Sequence, residues 1–129
     1  MKGVTLMSSK FLSTGVLRRH SDTQFLTVEA VNLDPEDARS VSVLMFDWSS
    51  GSPVIIPMAD PSTVTISPNQ YRTFRSFQLS PVLFAYEVRI LHPKDRDVVV
   101  NVFGLSDIAF NPQEGNNALQ HDLAVVKLK

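Results

Sequence analysis

Cysteine is absent from all 129 residues of the chain. That excludes a disulfide framework, a thiolate-ligated zinc or iron–sulfur site, and thiol catalysis. An excess of charge is missing too: 12 Lys and Arg against 13 Asp and Glu leave a formal net charge of −1. Such a balance gives no long-range pull toward nucleic acid or an anionic bilayer, so neither is expected as a partner. No apolar run approaches the ~18–20 residues that span a membrane. The segment from Met1 is broken by Ser8, Ser9 and Lys10 before any continuous apolar stretch forms. It is unlike a secretory signal peptide, and the expectation is a protein made in the cytoplasm that leaves, if at all, by cell lysis. Glycine is scarce, at five residues, and no dinucleotide fingerprint, Walker loop or G-x-S-x-G elbow is present.

What is there reads as one β domain. A hydrophobic share of 43% with 19% charged residues fits a folded globular chain, long enough to bury a core without a disulfide or metal. Period-two alternation recurs in short segments bounded by Pro, Gly, Asn and Asp. Leu26, Val28 and Ala30 share one face of a strand, whereas Ser40 to Trp48 is apolar on both faces and reads as a central or partner-facing strand. Val54-Ile55-Ile56, between Pro53 and Pro57, belongs at a sheet edge, because proline cannot donate to a ladder. Thr63 to Ile66, Tyr71 to Leu79, Val82 to Leu91, Asp97 to Leu105 and Leu123 to Leu128 complete the strands, the third and fourth of these expected to form a hairpin. Val82, Phe84, Tyr86, Val88 and Ile90 are expected on one face. Ser106 to His121 reads as a long loop, and Asp34-Pro35 could open a short helix to Arg39. The expected fold class is an all-β antiparallel sandwich or jelly roll of about eight strands.

Chemistry is harder to find. His20, His92 and His121 are dispersed, form no metal-ligand pattern, and read as turn residues. Asp95 and Asp97, and the cluster Asp34, Glu36 and Asp37, read as turn carboxylates. Glu29 and Glu87 are expected on solvent-facing sides of their strands. Arg72, Arg75 and Arg89 alternate with aromatics, as in a single-strand-binding sheet, but the stronger reading is outward charges over a packed core, as the slightly acidic balance also favours. No catalytic residue, no metal ligand and no cofactor site is assigned, so the expectation is a non-enzyme. Trp48 is the single tryptophan, either core packing or a platform for a sugar.

The N-terminal segment carries Val4, Leu6, Phe11, Leu12, Val16 and Leu17 among Gly3, Ser8, Ser9, Ser13, Thr14 and Gly15. Flexible chain with apolar anchors suits an arm that adds a strand to a neighbour's sheet. The alternative is that Lys10 to Arg19 is the first strand of its own domain. The division expected is an arm over 1–10 and a sandwich over 11–129.

Phe46-Asp47-Trp48-Ser49-Ser50-Gly51, Tyr86-Glu87-Val88-Arg89-Ile90 and Asp97-Val98-Val99-Val100-Asn101-Val102-Phe103-Gly104 occur in that order. Together they resemble a group of small, largely uncharacterised β-sandwich proteins of endospore-forming Bacillota, over about residues 11–128. The resemblance implies a spore-surface or endospore-appendage-like structural subunit, self-assembling through its N-terminal arm and released at mother-cell lysis. Partners implied are copies of itself and other spore-surface proteins. Cross-linking cysteines of the better-known appendage subunits have no counterpart here. The competing expectation is a monomeric binding module, with carbohydrate at Trp48.

Overall fold

In the computed structural model, which describes residues 10–93, 96–107 and 110–127, the two-residue period becomes eleven strands. They are β1 (Lys10–Ser13), β2 (Leu17–Arg18), β3 (Phe25–Asn32), β4 (Arg39–Asp47), β5 (Val54–Ile55), β6 (Thr63–Ile66), β7 (Gln70–Arg75), β8 (Ala85–His92), β9 (Val98–Leu105), β10 (Pro112–Ala118) and β11 (Ala124–Val126). A 3-10 turn, Gln120–Asp122, precedes the last. The front sheet runs β11-β1-β8-β4-β5, with β2 continuing β1 along β8 and β6 lying beside β5 along β4. The back sheet runs β10-β9-β3-β7. Every strand pair is antiparallel. The chain is thus an all-β sandwich of two antiparallel sheets.

Alternation explains the core. Val41, Val43 and Met45 of β4 and Tyr86, Val88 and Ile90 of β8 point inward from the front sheet. Leu26, Val28, Phe74, Val100 and Val102 meet them from the back sheet. Each such side chain contributes about 1.5–3 kcal/mol on burial. β3 and β8, paired on both sides, are the central planks.

Several expectations are corrected. β8 and β9 do not form a hairpin: β8 pairs with β1, β2 and β4, and β9 with β3 and β10. The connection crosses between sheets, so that Ile90 and Val100 face one another's layer instead of sharing one. His92, expected in a turn, is 2% exposed at this crossing, its Nε2 hydrogen-bonded to the Val98 carbonyl at 2.8 Å. Val82 and Phe84 are exposed because β8 begins only at Ala85. Asp34 to Arg39 forms no helix. The Asp34 carboxylate accepts hydrogen bonds from the Glu36 and Asp37 amides, and β4 begins at Arg39, before a second turn could close. Within the expected loop lies β10, irregular in register against β9 between Pro112 and Asn117, so its alternation is not legible in sequence.

Candidate functional site

The first described residue, Lys10, already pairs with His92. Phe11 and Leu12 sit between β8 and β11. Leu12 is in the core, Leu17 packs against it, and Val16 is exposed in the turn between β1 and β2. Of the six residues expected to anchor assembly, Leu12 and Leu17 are therefore engaged inside their own domain. Val4 and Leu6 lie outside the described residues, as does Asp95.

Trp48 directly follows β4, half-buried, and its indole Nε1 donates to Glu87 Oε1 at 2.9 Å. Glu87 was expected to face solvent; it does point away from the core, yet it is 6% exposed. Three donors converge on its carboxylate: the Ser13 hydroxyl, the Trp48 indole and Arg89 Nε at 3.0 Å. Burial alone would push its pKa up, but the hydrogen bonds from Arg89, Ser13 and Trp48 and the charge of Arg89 outweigh this and hold it below the usual glutamate range. Arg89 in turn lies over the Phe46 ring, 4.4 Å from its centroid. With its oxygens committed to three donors and no histidine among these contacts, this carboxylate is arranged to brace β1, β4 and β8 together.

A second polar knot closes one end of the sandwich. Asn116 Oδ1 accepts from the Thr23 hydroxyl at 2.6 Å and the His20 amide at 2.7 Å, and Asn116 Nδ2 donates to the Arg18 carbonyl at 2.9 Å. Arg19 donates to the carbonyls of Thr23, Ser80 and Leu83. Tyr86 lies beneath, its hydroxyl buried without a hydrogen-bond partner among the described residues. Burial pushes that hydroxyl's pKa far up, against the opposing charge of Arg19.

The three arginines do not form one surface. Arg89 stands on the outer face of the front sheet, while Arg75 stands on that of the back sheet, 5.6 Å from the Phe25 ring centroid and 5.4 Å from that of Phe110. Arg72 is exposed on β7. Glu29 is half-buried and accepts from the Thr73 hydroxyl at 2.7 Å. His20 Nδ1 accepts from the Asp22 amide, and His121 is exposed beside Asp122. Among the described residues no group of three or more His, Asp or Glu is placed to hold a metal. A depression of about 470 Å³ lies between Lys10, Leu12, Asn101, Gln120, His121 and Val125. Two of its polar groups, Asn101 and Gln120, are already bonded to backbone amides.

The edges of the sheets differ. At β7 the amide of Arg75 donates to the Asp60 carboxylate at 2.9 Å and its carbonyl accepts from the Ala59 amide at 2.8 Å. Arg75 therefore directs its backbone away from β3, and by antiparallel alternation so do Thr73 and Tyr71. The loop from Pro57 to Asp60 covers the lower half of this edge, through a bridge between Met58 and Ser76 and a bond from the Phe77 amide to Pro57. The upper half, from Gln70 to Thr73, ends the sheet, with Tyr71 63% exposed.

No family model matches the chain, and no curated protein sequence does. Among solved structures it is similar to Thermotoga maritima 1070, at 14% identity over 92% of each chain and a TM-score of 0.41. It is also similar to the keratin 4 binding domain of the surface adhesin Srr-1 of S. agalactiae, at 12% identity over 95% of this chain and 89% of that one, with a TM-score of 0.36. At these scores neither likeness carries an argument about function.

Proposed function

We propose that this chain is a non-enzymatic structural subunit that assembles with copies of itself by β-strand addition. The observation that supports the reading is the open upper half of β7, where Tyr71 and Thr73 direct backbone donors and acceptors outward beside a half that Asp60 and its loop have capped. An uncapped edge is a template for another strand. The donor on this reading is the segment before Lys10, in which Val4 and Leu6 alternate with Thr5. Leu12 and Leu17, held in the subunit's own core, are not part of it. The setting proposed with it, from the resemblance in sequence alone, is the endospore surface after mother-cell lysis.

Sedimentation velocity over a concentration series tests this. Tyr71→Pro removes an outward donor while leaving the ladder to β3 intact, and should abolish species that grow with concentration. Deleting residues 1–9 should do the same without lowering the melting temperature measured at a concentration too low for assembly. A wild-type protein that never grows beyond a dimer, or a Tyr71→Pro variant that assembles like wild type, would sink the proposal.

The alternative, a monomeric binding module for carbohydrate, draws on the half-exposed ring of Trp48. Loss of glycan binding by a folded Trp48→Ala variant would favour it, since alanine removes the aromatic face on which a sugar would stack.

A further inference from the structure

A sandwich sheet whose outer side meets water alternates apolar inward with polar outward. The outer side of the front sheet departs from this along its middle. Register places Phe11 beside Leu91, Leu44 beside Arg89, and Phe46 between Glu87 and Ile55. Leu44 and Ile55 are 38% and 56% exposed. The strand that read as apolar on both faces is β4, and no described element lies over its second face.

The charge pattern of this face is that of a surface that can leave water. Apart from Arg18 at its end, the charged residues on its rows are Glu87 and Arg89. They pair with each other, the carboxylate being further bonded to Ser13 and Trp48. Burying an unpaired charge costs several kcal/mol, roughly, whereas the Glu87 and Arg89 side chains are only 8% and 21% exposed, so most of their desolvation has already occurred on folding. Interface centres are depleted in unpaired charge and enriched in aromatics and arginine in the same way. Beside the pair is a socket of about 190 Å³ between Phe11, Ser42, Leu44, Thr63, Arg89 and Leu91. Ile55 protrudes next to it on the same face.

Size and symmetry identify the occupant. Five strand columns ~4.8 Å apart, with ~3.4 Å per residue along β4 and β8, give a flat footprint of roughly 500 Å², before side-chain relief is counted. A stable interface takes ~800 Å² per partner, or ~10% of a small protein's surface, and the described surface here is 7142 Å². A knob and a socket on one patch, around a self-neutralised centre, are self-complementary under a two-fold axis. We infer that the outer face of the front sheet is an isologous dimer interface between two copies of this chain, with Ile55 of each copy seated in the socket of the other. This surface is separate from the β7 edge and does not depend on strand addition.

The test uses the full chain carrying Tyr71→Pro, which blocks the edge. Sedimentation equilibrium of this protein should show a dimer. Adding Ile55→Lys, an exposed position outside the core, should weaken that dimer about tenfold or more by placing an unpaired charge in the interface. Leu44→Lys should act likewise, and at a protein concentration low enough to keep the parent monomeric both should melt at its temperature. Val82→Lys, on an exposed residue away from this face, should change nothing. A Tyr71→Pro protein that stays monomeric at high concentration overturns the inference, as does a dimer that survives both lysine substitutions. Strand addition fails separately, if species larger than a dimer never form in the wild type.

Discussion

Two residues carry more of the structure than their type suggests. Gly104 on β9 faces Asn116 and Thr23 so closely that an added Cβ would lie 2.7 Å from Asn116 Cβ and 2.9 Å from Thr23 Cγ2. Both neighbours are fixed by the hydrogen bonds of the polar knot, so neither can retreat cheaply. Gly104→Ala should therefore cost about 1–3 kcal/mol, read as a lower urea midpoint at unchanged m-value. Glu87 is the second. Its folded pKa is depressed below the unfolded value, so its stabilising effect is present above the unfolded pKa of ~4.3 and is lost as pH falls through the folded one. Glu87→Gln should lose about 1–3 kcal/mol at neutral pH by weakening the bonds to Arg89, Trp48 and Ser13. Its stability should then fall less steeply than wild type below about pH 4. A parallel acid limb in the two proteins would show that Glu87 is not the group responsible. In sequence Glu87 was one more outward strand residue, because the tryptophan that covers it arrives from a strand about forty residues earlier.

At the scale of elements, the alternating segments were legible and their partners were not. β3, β4 and β8 follow from apolar period and turn residues, and β5 from its flanking prolines. The crossing from β8 to β9 did not follow, since a hairpin and a connection between sheets leave the same apolar pattern and similar turn residues. What decides it is that β9 finds eight paired positions on β3, from Phe25 with Leu105 to Asn32 with Val98, while β8 is already enclosed by β1 and β4. Strands paired on both sides should be the most protected. Hydrogen exchange should show the amides of β3 and β8 opening only with global unfolding, while those of β11, paired on one side only and largely exposed, exchange much sooner. Early exchange across β8 would mean that its two-sided pairing is not maintained.

For the whole molecule, the association proposed through the β7 edge and the front-sheet face would make stability a matter of concentration. A species that associates only when folded is stabilised by mass action. The wild-type melting temperature should therefore rise with protein concentration in differential scanning calorimetry. A variant carrying both Tyr71→Pro and Ile55→Lys should melt at one temperature at every concentration. A wild-type transition that does not move with concentration would count against association by either surface.

The all-β class, which this molecule shows as two antiparallel sheets, was determined by sequence alone, through the alternation of apolar residues and the spacing of prolines and turn residues. These signals are local, because a strand's two faces are written in adjacent residues. The sequence also marked β4 as apolar on both faces, without saying which face the core would take. Only the tertiary structure decided that. It assigned Val41, Val43 and Met45 to the interior, left Leu44 and Phe46 outside around a closed Glu87–Arg89 pair, and capped one half of the β7 edge while leaving the other open. Strand pairing joins residues far apart in the chain, and a sheet's edges and uncovered faces exist only once every strand has found its neighbours.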